Sequence, residues 1–205
     1  MLNMKLFLAE QLNLSGKISQ SLHGEDILLW RYFKNVKDGF FIDIGAYCPK
    51  LFNNTWRLRK KLGFRGINIE PTDRIKLFKR YRKDDINLQC LIGNKNTYEW
   101  FYYDPEHPAS SGKDISKAIP VKKMLIKQRT LTSIVNEYEV KKIDLLDIDV
   151  EGTEFEVLDG YDWSVLPKLI LIEENGDKRI NKLLTGKGYK VIAITPLNTL
   201  YEIIL

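Results

Sequence analysis

The 205-residue chain has few cysteines and no long apolar run. Its two cysteines, Cys48 and Cys90, form neither a disulfide framework nor a metal-binding spacing, so we interpret them as free thiols of a reducing compartment. No apolar run reaches the about 20 residues that span a bilayer, and Met1–Lys5 does not begin a signal peptide. These absences predict a cytoplasmic protein without a membrane span.

The chain also lacks linkers, internal repeats and low-complexity tracts. With 44% hydrophobic and 29% charged residues, it has the composition of a folded protein. We therefore predict one domain over residues 1–205. Within it, residues 1–38 are predicted to be an N-terminal helical segment that packs on the core, and residues 93–130 an irregular insertion.

Apolar runs typical of strands alternate with stretches typical of helices. Phe40–Ala46 is nearly all apolar, as in a strand buried on both faces of a sheet. The last two strand-like runs, on either side of Pro196, have the spacing of a hairpin. The alternation predicts an α/β fold, a mostly parallel sheet with helices on both faces. Strands are predicted at 40–46, 66–70, 86–92, 98–103, 143–150, 168–173, 189–195 and 199–204, and helices at 20–36, 54–62, 71–82, 130–138, 153–158 and 181–184.

The net charge is +5, and basic residues cluster at 57–61, 79–83 and 122–129. Two interpretations stay open for these clusters. They are solvated helix faces, or they form a rim that attracts an anionic substrate such as a phosphorylated sugar or a nucleotide. No recognised nucleic-acid-binding module accompanies them, so we expect no nucleic-acid partner.

The glycine-rich turn of dinucleotide-binding proteins is missing. The first predicted strand is followed by a single glycine, Gly45, and Pro49 has no backbone N–H to offer a phosphate. Asp43 lies just before this turn, and Glu70, at the end of the second strand, is placed to bind ribose hydroxyls. Adenosine binding without a phosphate site favours S-adenosylmethionine over NAD as the cofactor.

Carboxylates follow two neighbouring core strands. Asp147, Asp149 and Glu151 alternate along the chain and are predicted to point to one side. Glu173 ends the next strand and is expected to share their crevice. Such a cluster suits proton transfer, cation binding or contact with a sulfonium. Mg²⁺ held by Asp149 and Glu173 would lower the pKa of a hydroxyl, but no third ligand is evident and no metal ligand is assigned.

Five segments carry a family resemblance: Ser19–Asp26, Gly39–Ala46, Asn54–Thr55, Gly66–Pro71 and Ile148–Glu154. In this order they are similar to the FkbM family of methyltransferases. The resemblance implies a Rossmann-like class I methyltransferase fold, with a seven-stranded sheet whose last strand is antiparallel. It also implies S-adenosylmethionine as the cofactor and O-methylation, most often of sugars in surface glycans or of hydroxyls in secondary metabolites.

The resemblance further implies roles for individual residues. Asp149 matches the acidic residue beside the methyl group, and Glu70 matches the acid that binds the ribose. Asp147 stands where the family more usually has a neutral or basic residue. The other residues assigned to the cofactor are Asp43, Gly45 and Ala46 around its methionine and ribose, Cys90 and Leu91 beside its adenine, Asn54 and Pro71 in matched segments, and Gln20, Glu25 and Asp26 in an N-terminal segment that closes over it.

The predicted reaction is O-methylation of a sugar or glycan hydroxyl, with residues 93–130 as the expected acceptor-binding region. Asp149 and His107 are the candidate catalytic residues, and His107, in a loop rich in proline and serine, would act as a base. The acceptor is expected to be a small molecule or a glycan. The chain is either a whole protein or one domain of a larger glycan-building enzyme.

Other functions stay open at this point. The sequence barely distinguishes methylation of a non-sugar hydroxyl from the predicted reaction. The single glycine disfavours an NAD-binding domain, and the presence of both Asp43 and Glu70 disfavours a non-catalytic Rossmann-like binding domain. Methylation of nucleic-acid bases is disfavoured because the residues after Asp149 are not the Pro-Pro-aromatic sequence of such enzymes.

Overall fold

The structure is a computed structural model that describes residues 19–104, 111–112 and 122–204. Its strands form two sheets. Within the described ranges, no helix is long and apolar enough to cross a membrane. The strands are β1 (Phe40–Ile44), β2 (Arg65–Ile69), β3 (Ile86–Leu88), β4 (Leu91–Ile92), β5 (Thr97–Tyr103), β6 (Ser111–Gly112), β7 (Lys122–Arg129), β8 (Leu145–Ile148), β9 (Leu169–Glu173), β10 (Tyr189–Ile194) and β11 (Asn198–Ile203).

Seven strands form the larger sheet, in the order β10-β11-β9-β8-β1-β2-β3. Strands β1, β2, β3, β8 and β9 run parallel to one another, and β11 runs antiparallel to both of its neighbours. The chain builds outward from β1 to β3 and then returns to the other side of β1. Such a reversal places a ligand crevice at the carboxyl ends of the strands. The predicted sheet, with its antiparallel C-terminal hairpin, is confirmed.

Helices cover both faces of this sheet: α1 (Glu25–Tyr32), α2 (Trp56–Leu62), α3 (Ile75–Tyr81), α4 (Leu131–Glu137), α5 (Glu154–Asp159) and α6 (Lys178–Gly186). Alternate residues of β1 point into two separate cores. Ile42 and Ile44 belong to the core that holds Ile134 of α4 and Val157 of α5. Phe41 belongs to the other core, with residues of α1 and α2. The predicted two-sided covering is therefore confirmed.

The smaller sheet, in the order β4-β7-β5-β6, holds part of the segment that the sequence predicted to be irregular. One consequence is that the predicted strand 86–92 is divided. It pairs with β2 as far as Leu88, and from Leu91 it pairs with β7 in the other sheet. No glycine or proline interrupts this run in the sequence, so only the pairing partners show the break.

Strand β7 was wrongly predicted as a basic stretch without regular structure. Ile126 and Gln128 are buried, whereas Leu125 and Lys127 are exposed. A strand with one solvated face carries polar residues at every second position. The lysines occupy that face, and they masked the strand pattern.

Two helix boundaries also differ from the prediction for reasons of capping. Helix α1 begins only at Glu25, because the backbone N–H of Gln20 bonds the Asp26 carboxylate (3.0 Å) instead of joining a helix. Helix α6 begins earlier than predicted, since the Asp177 side chain accepts the N–H of Arg179 (2.9 Å) and caps the helix.

Candidate active site

A cavity of about 540 Å³ opens at the carboxyl ends of β1, β2, β8 and β9, within the size range of ligand pockets. This is the crevice that the strand order predicts. Most of the residues that the sequence assigned to a cofactor line it: Glu25, Asp43, Gly45, Ala46, Asn54, Glu70, Pro71, Cys90, Leu91 and Asp149. The structure thus brings together residues from β1 through β8 that are distant in the chain.

Gly45 lets two parts of the cavity wall approach each other closely. Its φ is +82°, and a Cβ atom at this position would lie 1.7 Å from the carbonyl oxygen of Asp149. The N–H groups of Gly45 and Ala46 both bond the carbonyl of Ile69, each at 3.0 Å. The turn after β1 is therefore fixed to β2 and pressed against the segment after β8, and only glycine fits there.

Glu70 presents a fixed carboxylate at the end of β2. One oxygen accepts the N–H of Tyr47 at 3.0 Å, and the other accepts the N–H of Thr72 at 2.9 Å. Burial raises the pKa of Glu70, while the bonds from Thr72 and Tyr47 oppose that rise. Oε1 also accepts the Thr72 hydroxyl, so both of its lone pairs are in use, whereas Oε2 keeps one lone pair for a hydroxyl of a ligand such as a ribose.

Asp43 is buried in an ionic network behind the cavity wall. Its Oδ2 accepts Thr55 Oγ1 (2.7 Å) and Asn53 Nδ2 (3.1 Å), and it lies 3.8 Å from Nη1 of the fully buried Arg82. Burial raises the pKa of Asp43, and Arg82 opposes this rise. These contacts give Asp43 a structural role, since its Oδ2 holds the loop after β1 in place.

The opposite side of the cavity is strongly acidic. Asp147 pairs with Asp43 in the register of β8 and β1, and the half-buried Asp149 follows one residue after the strand. Burial raises the pKa of Asp147 well above its usual range, and the neighbouring Asp43 and Asp149 raise it further. Burial also raises the pKa of Asp149 well above its usual range, and Glu173, which is hydrogen-bonded to Asp149, is the neighbouring carboxylate that raises it most.

Glu154 completes a group of three carboxylates with Asp149 and Glu173, whose oxygens lie within 4.8 Å of one another. Oxygen ligands of this kind suit Mg²⁺. However, the Glu154 oxygens already accept the N–H groups of Val150 (3.1 Å) and Gly152 (3.0 Å). These bonds give Glu154 a structural role, so the geometry of the cluster does not assign a metal.

The start of α5 is held by Glu154 and not by the residue before it. Thr153 and Glu156 have the spacing of a capping box, but Thr153 makes no side-chain capping bond. Glu154 takes over, since its carboxylate holds the backbone of the turn that precedes the helix.

Of the three residues of the N-terminal segment that the sequence assigned to the cofactor, Glu25 lines the cavity and the other two do not. Glu25 is buried and accepts Thr195 Oγ1 (3.0 Å) and Asn198 Nδ2 (3.4 Å) from the C-terminal hairpin. Gln20 and Asp26 do not line the cavity. They instead brace the segment, where Asp26 also pairs with Arg57 at 2.7 Å. The candidate base His107 lies outside the described residues.

Several residues that the sequence analysis did not single out also line the cavity. Phe101 of β5 and Tyr47 add aromatic surface, and the Arg74 guanidinium lies 4.2 Å from the ring centroid of Tyr47. Asn198 is buried, and its Oδ1 has no hydrogen-bond partner among the described residues. No local sequence signal marks these residues, because each reaches the cavity only through tertiary packing.

The strand order and the cavity at its reversal define a Rossmann-like domain of the class I methyltransferase type. The family model of the Methyltransferase FkbM domain matches residues 43–196, which is more than half of the chain. The protein therefore belongs to the FkbM methyltransferase family, and the resemblance found in the sequence is confirmed. No curated protein and no solved structure matches the chain.

Proposed function

We propose that the protein transfers a methyl group from S-adenosylmethionine to a hydroxyl of a sugar or glycan. The observation that carries this proposal is the arrangement of one cavity with a carboxylate for a diol, Glu70, on one side and a carboxyl pair, Asp149 and Glu173, on the other. Gly45 lies between them and allows the turn after β1 to approach the segment after β8 closely.

The residues near β2 and β4 suit the nucleoside part of this cofactor. Glu70 would accept a ribose hydroxyl at Oε2, and Cys90, Leu91 and Phe101 offer an apolar surface to the adenine. Burial raises the pKa of the Cys90 thiol to about 11, so this side chain stays neutral beside the base. Bound here, S-adenosylmethionine would supply an electrophilic methyl group.

The carboxyl pair supports proton removal from the acceptor. Methylation of a hydroxyl forms a C–O bond, breaks the S–C bond and releases the hydroxyl proton. The pair of Asp149 and Glu173 would take up this proton, and burial together with the neighbouring carboxylates raises the pKa of Asp149, which makes it a stronger base than an exposed aspartate. The carboxylate side of the cavity would also favour a sulfonium by charge.

The cavity lining favours a neutral acceptor rich in hydroxyl groups. Asp147, Glu151 and the unpartnered Asn198 Oδ1 offer hydrogen-bond acceptors, and Tyr47 and Phe52 offer rings that can pack on a sugar. An anionic acceptor would meet repulsion from these carboxylates. We therefore assign the acceptor side to a sugar hydroxyl rather than to a phosphorylated group.

The first test is calorimetric titration with S-adenosylhomocysteine. We expect Glu70→Gln to weaken binding about tenfold or more, because a hydrogen bond to a charged group contributes about 1.5–3 kcal/mol. Glu139→Gln, an exposed acid away from the cavity, is the matched control and should bind as the unchanged protein does. Binding of NAD without binding of S-adenosylhomocysteine would contradict the proposal.

The second test separates chemistry from binding. In a transfer assay with a panel of sugar acceptors, Asp149→Asn should lower the rate by about 10²–10⁴-fold, the usual contribution of a positioned base. Its affinity for S-adenosylhomocysteine should change far less. A variant with the full transfer rate would remove Asp149 from the mechanism.

A further inference from the structure

Helices α2 and α3 share an exposed cluster of cations and aromatic rings. Lys50 Nζ lies 4.2 Å from the ring centroid of Tyr81 and 5.6 Å from that of Trp56. Lys60 Nζ is 5.6 Å from Trp56, and the Arg80 guanidinium is 5.4 Å from Tyr81. We refer to these five side chains as the α2–α3 face.

Large apolar side chains protrude beside this face. Leu51 is 59% exposed, Phe52 58%, Leu77 42% and Tyr81 42%. Leu77 lies one helical turn before Tyr81 on α3, and Leu51 directly follows Lys50. Apolar groups gathered in one exposed patch, rather than scattered singly, indicate contact with something other than water.

The positive charge of the face is not neutralised by the protein. Nearby carboxylates are engaged elsewhere, since Asp73 pairs with Lys76, and Asp84 pairs with Arg59. In the part of the chain that the structure describes, no ion pair involves Lys50, Lys60 or Arg80. The partner of such a surface is expected to be anionic.

We propose that the α2–α3 face binds the surface of an anionic lipid bilayer. The lysine and arginine groups would meet phosphate headgroups, while Leu51 and Leu77 would enter the boundary between headgroups and acyl chains. A nucleic acid or an anionic polysaccharide would satisfy the cations alone and leave the leucines in water. The combination of charge and apolar protrusion therefore favours the bilayer.

The same face borders the cavity. Phe52 lines the cavity and is more than half exposed, and its ring packs against Tyr47 at a centroid distance of 6.3 Å. A bilayer bound at the α2–α3 face would therefore lie beside the cavity opening. The proposal that this face binds a bilayer does not depend on which acceptor is methylated.

The test is co-sedimentation of the full chain with phosphatidylcholine vesicles that contain or lack phosphatidylglycerol. We expect binding only to the anionic vesicles, with an affinity that falls as salt rises. The double variant Lys60→Glu with Arg80→Glu should bind at least about tenfold more weakly. Its matched control, Lys178→Glu with Lys182→Glu on α6, changes the net charge equally at exposed positions away from the face and should bind as the unchanged protein does.

A second variant distinguishes a bilayer from other polyanions. Leu77→Ser keeps every charge, and it should lower binding to anionic vesicles while leaving retention on heparin unchanged. Its melting temperature shows whether the variant is folded. Failure of the unchanged protein to bind anionic vesicles, equal losses in the α6 control, or unaltered vesicle binding by Leu77→Ser would each overturn the proposal.

Discussion

Two buried aspartates lie side by side in the centre of the sheet, and only one has a counterion. Asp43 on β1 and Asp147 on β8 are paired in register, and both are buried. Arg82 lies beside Asp43, whereas Asp147 accepts one hydrogen bond, from Asn54 Nδ2 at 3.3 Å. The pKa of Asp147 is accordingly held well above its usual range by burial and by the charges of Asp43 and Asp149.

This asymmetry predicts a stabilising substitution. In the folded protein, Asp147 binds its proton more tightly than in the unfolded chain, so its contribution to stability is lost as the pH rises through its raised pKa. Asp147→Asn cannot ionise, and its melting temperature should exceed that of the unchanged protein at pH 8 by about 2–4 °C for each kcal/mol of relieved repulsion. At pH 5 the difference should be smaller, because protonation of Asp147 removes the same charge that the substitution removes.

Thermal unfolding followed by circular dichroism at both pH values measures this difference. Asp144→Asn is the control, because the Asp144 carboxylate is also buried but forms an ion pair with Lys142 at 2.9 Å. It should lower the melting temperature at pH 8. A loss of stability in Asp147→Asn at pH 8 would contradict the raised pKa of Asp147.

For individual residues, the position of a residue at the end of a strand predicted whether it lines the cavity. It did not predict which other side chains that residue contacts. Asp43, Gly45 and Glu70 could be placed because each follows a strand that the apolar pattern identifies. Arg82 could not, since it lies at the end of a helix and reaches Asp43 across the sheet edge. The order of residues carries no information about such a contact without the fold.

Arg82 is also what joins several elements. From the end of α3 it donates to Asn68 Oδ1 on β2 at 2.6 Å and to Thr55 Oγ1 before α2 at 2.9 Å. It lies near Asp43 on β1 and within 3.6 Å of Asp85. Burial lowers its pKa to about 10, and the two carboxylates oppose this, so Arg82 stays charged at neutral pH.

Removing the Arg82 cation should destabilise the fold, because this side chain links the end of α3 to β1, β2 and the segment before α2. Arg82→Met leaves the Asp43 carboxylate buried without a counterion, whereas Asp85 still pairs with Arg59 at 3.3 Å, and we expect the free energy of unfolding to fall by about 3–5 kcal/mol. Urea denaturation measures the loss, and Arg80→Met, at a nearby exposed position, should cost less than about 0.5 kcal/mol. Adding Asp43→Asn to Arg82→Met should restore part of the stability; if it restores none, the unpaired Asp43 charge is not the cause.

Among elements, the parallel strands were the easiest to predict and the smaller sheet the hardest. The runs that became β1, β8 and β9 are almost entirely apolar because both faces are buried, and Asp43 and Asp147 are the exceptions within β1 and β8. Strand β7 is buried on one face only, and β3 and β4 change sheets within one apolar run. Which strand a segment pairs with is decided by tertiary structure, and hydrophobic pattern alone does not encode it.

At the scale of the whole molecule, the residues that line the cavity come from almost the full length of the described chain, from Leu22 to Asn198. A ligand bound there would hold the N-terminal segment, both sheets and the C-terminal hairpin together. At a concentration of 100 times its Kd, S-adenosylhomocysteine should stabilise the fold by about 2.7 kcal/mol, and so raise the melting temperature by about 5–10 °C. A thermal-shift titration beside NAD measures this, and no shift at saturation would count against a cofactor site in this cavity.

The bond between Glu25 and Thr195 has a consequence for the order of events during synthesis. These residues lie 170 positions apart in the chain. A ribosome adding about 5–20 residues per second would need roughly 10–30 s to pass from one to the other. Throughout that interval the buried Glu25 carboxylate has no partner from the hairpin, and the wall that it forms is incomplete. The nascent chain should thus acquire its ligand only late in translation, after the strands of the sheet have already been made.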